Sequence, residues 1–231
     1  MLPADLEAMW QRYREEEQRG VRTEALRLLD RFLHAFPTQA LSFQRAWVRQ
    51  TMASIVDEGD NVPVRFPLFR RVLLPILVEG VNTHQPGCAR WLAAFGSMLV
   101  SSRPTGLSPE LESHAGLLRE AVRLDPSDQR SLEQLLACDA EYFAYTLHEL
   151  PTGVLSGLHG ATREQCDVLL DRLEEFETHL HRSEQAAKYQ ELVNEGRFHY
   201  RAYRQYLMTR PEGMSYARYL QSYSPDTEVE S

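Results

Sequence analysis

Apolar residues recur at helical spacing along most of this chain, and that periodicity constrains the fold more than any other feature. The clearest stretch runs from Leu117 to Pro151, where Leu118 and Ala121 lie on one helical face. Pro126 cannot continue that helix, and Ser127 is expected to cap the next one. No segment alternates apolar and polar residues as a strand does. The sequence therefore predicts an all-α fold, an irregular stack of antiparallel helical hairpins with about nine to ten helices.

The length and the apolar content favour one large helical domain. The chain has 231 residues, of which 43% are hydrophobic, enough to form a core of ordinary size. We expect a single domain over residues 1–223, which the linker Ser101–Pro109 could divide into sub-bundles 1–100 and 109–223. The polar, acidic residues 224–231 are expected to form a disordered tail.

Two proline-containing regions define the ends of predicted helices. The segment Phe66–Glu79 is apolar on nearly all sides, and Pro75 is expected to kink it or split it in two. Leu150–Gly160 is predicted to be a loop. After it, Thr162 and Gln165 have the spacing of a capping box that starts another helix.

The joint at Pro126 has an earlier counterpart in the chain. Aligning Pro37 with Pro126 also pairs Thr38 with Ser127, and both Thr38 and Ser127 are expected to cap the helix that follows. The order of helix, proline, cap and helix thus occurs twice.

The residues LLREAVRLDP resemble the end of a tetratricopeptide repeat. In that family a small residue precedes a helix-ending proline by five positions, as Ala121 precedes Pro126 here. The resemblance covers about Leu117 to Leu135, and at Leu136 and Asp139 the chain departs from the small and aromatic residues of the family pattern. What the resemblance implies is a TPR-like superhelix or bundle of helical hairpins, with no ligand residues.

Charge and hydropathy exclude several classes of protein. The formal charge of -8 disfavours a general nucleic-acid binder and favours a basic partner. No apolar run reaches the ~20 residues of a membrane span, and the N-terminus has no secretory signal pattern. The three cysteines are far apart, as in a reduced cytoplasmic protein. The 24 arginines against one lysine indicate a GC-rich, bacterial genome.

Asp139 is the most unusual residue in a predicted apolar stripe. On a helical wheel it falls between Leu132, Leu136 and Phe143, where a carboxylate is costly unless it is paired. We expect it to be mostly buried with an arginine or tyrosine partner. One hypothesis makes it a core ion pair, and the other places it in a ligand pocket between helices.

The predicted helix from Ser183 to Met208 is the best candidate for binding a partner. It presents tyrosines on one face and arginines beside them, and such residues anchor protein interfaces. The candidate partner-binding residues are Arg197, Tyr200, Arg201, Tyr203 and Arg204. Two alternatives remain. Single-stranded nucleic acid could bind here, or the tyrosines could pack in the core while the arginines pair with Glu174, Glu175 and Glu177.

No catalytic or metal-binding motif was found in the sequence. There is no HExxH, CxxC, nucleophile elbow or Gly-rich phosphate loop, so we predict no catalytic residue, no metal and no cofactor. The sequence favours a non-enzymatic protein–protein interaction module with a basic partner, for example an antidote to a basic toxin or an adaptor. The alternative hypothesis is a helical enzyme or small-molecule binder with an inter-helix pocket containing Asp139.

Overall fold

The chain folds into helices joined by turns and short extended segments. The computed structural model describes residues 3–150, 160–209 and 212–223, and those residues contain no strand, which confirms the all-α prediction. The α-helical segments are α1 (Ala4–Gln18), α2 (Arg22–Ala35), α3 (Leu41–Met52), α4 (Phe66–Leu68), α5 (Leu74–Asn82), α6 (Cys88–Ala93), α7 (Gly96–Ser102), α8 (His114–Leu124), α9 (Gln129–Glu149), α10 (Arg163–Leu180), α11 (Ala186–Thr209) and α12 (Tyr216–Leu220).

The predicted apolar helix at Phe66–Glu79 changes its winding before Pro75. A π-helical turn at Phe69–Leu73 separates α4 from α5, and the Leu74 N–H donates to the Phe69 carbonyl five residues earlier. Proline lacks an N–H and its ring crowds the preceding turn of an α-helix, so the wider π turn accommodates it. The predicted split is therefore present, and the helix continues beyond it.

The helical stretch from Cys88 to Ser102 is also divided. Phe95 leaves the helical region of the backbone, with φ -111° and ψ 33°, and separates α6 from α7. Together with the split at Pro75, this break explains why the described residues hold more α-helical segments than the nine or ten expected.

The cap of α9 is one residue later than predicted. Ser127 does not cap it; the Ser131 N–H instead donates to Asp128 Oδ1 at 3.1 Å, so the Asp128 carboxylate satisfies the helix start. The Ser127 hydroxyl donates to Asp125 Oδ1 at 2.6 Å and tightens the turn that precedes the helix. The corner at Pro126 is thus built by two aspartates.

Of the other two predicted caps, one is wrong and one is confirmed. Thr38 lies in a 3₁₀ turn, where its hydroxyl donates to the Ala35 carbonyl at 2.7 Å and caps no following helix. Thr162 and Gln165 form the expected capping box at the start of α10. The box succeeds because both of its hydrogen bonds are local in sequence.

Contacts between residues group the chain into two compact units, residues 1–131 and 132–231. The division falls inside α9, whereas the linker predicted from the sequence to separate sub-bundles is Ser101–Pro109. Most of the loop predicted at Leu150–Gly160, and the tail predicted at 224–231, lie outside the described residues.

An aromatic cluster forms the interior of the first unit where α1, α2 and α3 meet. Trp10 and Trp47 lie edge to face with ring centroids 5.1 Å apart, and Phe32 and Phe36 pack against Trp47 at 5.2 and 5.0 Å. All four rings are buried, so they fix the positions of the three helices.

An extended segment, residues 59–65, lies along α1, and we call it the strap. Its contacts to the helix are Arg14 to Asp60 (2.7 Å), Tyr13 to the Pro63 carbonyl (2.7 Å) and Arg65 to Glu17 (2.8 and 2.6 Å). Two charge-assisted pairs and one buried tyrosine therefore fix an otherwise irregular segment.

The second unit is organised around the close approach of α10 and α11. A Cβ on Gly196 would lie 3.2 Å from Leu173 Cδ2, which is tighter than usual contact, so the two helices approach closely at this glycine. Phe143 of α9 packs against Phe176 of α10 with centroids 5.4 Å apart. Leu173, Phe143 and Phe176 are all buried and form the core of this unit.

Candidate functional site

Asp139 is buried and paired. Its side chain is 5% exposed, and Arg172 of α10 donates to Asp139 Oδ1 at 2.5 Å. The same guanidinium lies 3.8 Å from the ring centroid of Tyr142, over its face. The prediction of a mostly buried carboxylate with an arginine partner is confirmed. The pair links α9 to α10 and supplies the countercharge that a buried carboxylate requires.

No ligand cavity of the two described for this chain includes Asp139. Two concave regions of about 520 and 310 Å³ are both lined by residues of the first unit. The hypothesis of an enzyme or small-molecule binder centred on Asp139 therefore gains no support from these cavities.

The tyrosines predicted to bind a partner lie in the core, which corrects that part of the prediction. Tyr200 is fully buried, and its hydroxyl bonds Thr146 Oγ1 at 2.6 Å while Thr146 donates to the Phe143 carbonyl. Tyr203 is 4% exposed and packs edge to face on Tyr216 at 4.8 Å. Burial raises the pKa of Tyr200 and Tyr203. These rings stabilise the second unit and cannot form a surface.

The predicted arginines are half-buried or exposed. Arg197 donates to Glu177 Oε2 at 2.6 Å, and Arg204 lies 2.5 Å from Asp167 Oδ1, so both tie α11 to α10. Arg201 is exposed. Glu177 was among the expected acidic partners, whereas Asp167 was not. The partner-binding role of Arg197, Arg201 and Arg204 remains a prediction.

The charge of the protein is concentrated in the second unit. Residues 1–131 contain 16 acidic and 16 basic residues, and residues 132–231 contain 17 acidic and 9 basic residues. The whole formal charge of -8 thus belongs to the second unit. No lysine or arginine occurs between Ser131 and Thr162.

Much of this negative charge is exposed and unpaired. Ten carboxylates in the described part of the second unit are exposed and form no ion pair there. They are Glu133, Glu141, Glu164, Asp171, Glu174, Glu175, Glu184, Glu191, Glu195 and Glu212. Counting charges on each side of Ser131 could have found this excess from sequence, but the position of the boundary required the structure.

The outer face of α10 carries the most regular part of this acidic surface. Glu164, Val168, Asp171 and Glu175 follow one another at spacings of four, three and four residues, so they form one stripe, which we call the α10 stripe. Val168 is 64% exposed between the carboxylates. Of the two arginines in α10, Arg172 is turned to Asp139 and does not neutralise the stripe. This face was not predicted from the sequence, because an apolar residue such as Val168 is usually expected to pack in the core.

Two of the three cysteines, Cys88 and Cys166, are poorly suited to act as nucleophiles. All three are free thiols; Cys88 and Cys166 are buried, and Cys138 is half-buried. Burial raises the pKa of Cys88, and it raises the pKa of Cys166 to about 11. A thiol with such a pKa is almost entirely protonated at neutral pH.

The described residues contain neither a metal-binding group nor a membrane-spanning helix. None of those residues form a group of three or more histidines, cysteines or carboxylates arranged to hold a metal ion. Across the same ranges, no helix combines the length and the apolar character needed to cross a bilayer.

Comparison with known proteins gives no relative. No protein-family model, curated protein or solved structure matches this chain. Function must therefore be inferred from the surface and contacts described above.

Proposed function

We propose that this chain is a cytoplasmic, non-enzymatic interaction module that binds a basic protein through the acidic surface of residues 132–231. The observation that supports this proposal most is the set of ten exposed, unpaired carboxylates in a unit that carries the whole net charge. A basic surface on the partner would complete ion pairs that the chain leaves open. An antidote to a basic toxin and an adaptor for a basic protein are two roles with this chemistry.

The α10 stripe is the proposed centre of the interface. Charged residues around an interface accelerate association, whereas affinity depends mostly on a few well-packed apolar or aromatic anchors. Val168 supplies an exposed apolar side chain between Glu164 and Asp171. The stripe therefore combines long-range attraction with a contact that a partner can bury.

Affinity capture from the native host, followed by mass spectrometry, tests the proposal. We expect a stoichiometric basic protein that is retained at low salt and released as the salt concentration rises. The variant Glu164→Gln/Asp171→Asn/Glu175→Gln, called the stripe variant, should bind this partner about tenfold more weakly.

A matched control variant separates local from general charge effects. Glu15→Gln/Glu58→Gln/Glu112→Gln removes three exposed, unpaired carboxylates from the first unit and changes the net charge by the same amount. Its affinity should stay within about twofold of the unchanged chain. Equal losses in both variants, or a partner with an acidic surface, would contradict the proposal.

The contribution of Val168 is tested by Val168→Ser. Loss of an apolar anchor should accelerate dissociation, whereas loss of stripe charges should mainly slow association. Surface plasmon resonance with the captured partner distinguishes these effects. Unchanged dissociation in Val168→Ser would exclude the α10 stripe as the centre of the interface.

A further inference from the structure

A groove in the first unit lies beside the aromatic cluster. It has a volume of about 520 Å³, within the usual range of small-molecule sites. Its walls are formed by α1, α3, the π turn at Ala53–Asp57 and the strap. The lining residues used below are Glu7, Trp10, Arg14, Trp47, Ser54 and Asp60.

Two indole rings form the floor of the groove. Trp10 is 4% exposed and Trp47 is 7% exposed, and both line the groove. Neither indole N–H donates a hydrogen bond within the described residues, and neither nitrogen is sealed from solvent.

The third tryptophan, Trp91, has a hydrogen-bond acceptor for its indole N–H, unlike Trp10 and Trp47 within the described residues. Trp91 is equally buried, and its indole N–H lies 3.1 Å from both carboxylate oxygens of Asp57. Buried tryptophans usually have such an acceptor, because an indole N–H that is removed from water without one loses free energy. Trp10 and Trp47 thus present two donors to which a ligand could supply acceptors.

The charges at the rim limit the ligand further. Arg14 donates to Asp60 at 2.7 Å and Ser54 donates to the same carboxylate at 3.1 Å, so the charge of Asp60 is balanced. Glu7 accepts a hydrogen bond from the neutral amide of Gln11 and forms no ion pair within the described residues. The groove is therefore weakly negative and disfavours carboxylates and phosphates.

Contacts within the protein hold the walls of the groove in place. Tyr13 and Arg65 hold the strap against α1 through Pro63 and Glu17, outside the groove itself. The aromatic packing of Trp10 on Trp47 fixes the floor. Ligand binding would therefore require little ordering of the protein, which is typical of small-molecule sites.

We infer that this groove binds a small planar organic molecule that is neutral or singly cationic, has an apolar body, and accepts hydrogen bonds from Trp10 and Trp47. The aromatic floor packs against the body of the ligand, the two indole N–H groups bond its acceptors, and Glu7 favours a positive charge. This site is independent of the acidic surface, so either can fail without the other.

Hydrogen exchange tests the premise first. The chain has three tryptophans, whose indole N–H groups give three separate signals in a ¹H–¹⁵N spectrum. In the free protein, the signals of Trp10 and Trp47 should exchange with D₂O at least tenfold faster than that of Trp91, because only Trp91 is hydrogen-bonded. Equal protection of all three would overturn the inference.

Three matched probes test the ligand class. Nicotinamide is neutral, 1-methylnicotinamide is singly cationic and nicotinate is anionic, while all three share one aromatic ring. Titration should shift the indole signals of Trp10 and Trp47 but not that of Trp91. The cation should bind up to roughly fivefold more tightly than nicotinamide, and nicotinate should bind most weakly. Tightest binding by nicotinate, or no shift with any probe, would overturn the inference.

Two variants locate the probes in the groove. Trp10→Phe keeps a ring but removes the donor, and it should weaken nicotinamide binding by roughly fivefold, as expected for one hydrogen bond. Glu7 is more exposed than Trp10, so Glu7→Gln should disturb folding less than Trp10→Phe. Glu7→Gln should remove the preference for 1-methylnicotinamide over nicotinamide. A preference that persists in Glu7→Gln would place the cation elsewhere and contradict the proposed site.

Discussion

The two units of this protein use charge in opposite ways. In residues 1–131 acidic and basic residues are equal in number, and pairs such as Arg14–Asp60 and Arg65–Glu17 fix the strap to α1. In residues 132–231 the acids are in excess, and ten exposed carboxylates form no ion pair within the described residues. Charge in the first unit stabilises structure, whereas much of the charge in the second unit is exposed and outside ion pairs.

The buried pair of the second unit should give the largest effect on stability. Arg172→Met removes the arginine that pairs with the buried Asp139, and we expect the free energy of unfolding to fall by about 3 kcal/mol. Urea denaturation gives this value. The control Arg197→Met removes a half-exposed partner of Glu177 and should cost less than about 1 kcal/mol. Equal losses would mean that Asp139 is not specially dependent on its partner.

Glycine packing should differ between the units. A Cβ on Gly80 would overlap Cys88 Sγ, so Gly80→Ala should destabilise the first unit by about 2 kcal/mol. The Cβ of Gly196→Ala would lie 3.2 Å from the flexible end of Leu173 and 3.4 Å from the Tyr200 ring, and the better helix propensity of alanine offsets these milder contacts. The melting temperature of Gly80→Ala should therefore be well below that of Gly196→Ala. The reverse order would contradict the packing described for the two glycines.

Alkaline pH should weaken the protein through Cys166. Burial raises its folded-state pKa to about 11, above the unfolded value of about 8.5. The stabilisation is complete below pH 8.5 and is lost as the pH rises towards 11, because the unfolded chain releases the proton first. In Cys166→Ala, the fall in the free energy of unfolding at alkaline pH should be smaller by about 2 kcal/mol. An unchanged pH profile in that variant would contradict the assigned pKa.

Single carboxylate substitutions test the contrast between the units directly. Glu17 is 6% exposed and receives two hydrogen bonds from Arg65, so Glu17→Gln should cost about 1 kcal/mol. Glu175 has no ion pair, and Glu175→Gln should change the free energy of unfolding by less than about 0.5 kcal/mol. A comparable cost at Glu175 would show that the second unit also uses its exposed charge for stability.

The sequence predicts local features of this fold better than distant ones. The helix-breaking effect of Pro75 and the Thr162–Gln165 box follow from residue chemistry within a few turns. The cap at Asp128 was missed because Ser127 and Asp128 are both good capping residues and the sequence does not choose between them.

The site was harder to predict because it depends on which faces remain exposed. Asp139 was identified correctly, since one carboxylate in an apolar stripe needs a partner wherever the helix packs. The tyrosines of α11 were assigned to a surface although they are buried, and Val168 was overlooked although it is exposed. Helical spacing shows that residues share a face, but only packing shows whether that face meets protein or solvent.

The salt dependence of partner binding tests the central proposal most directly. The dissociation constant of the captured basic partner would be measured between 50 and 300 mM salt, on the order of the range where surface charges become screened, for the unchanged chain, the stripe variant and the control variant. We expect affinity to fall with salt, the stripe variant to bind more weakly with a shallower salt dependence, and the control variant to match the unchanged chain. Affinity that is independent of salt, or a stripe variant that behaves like the control, would contradict the proposed acidic interface.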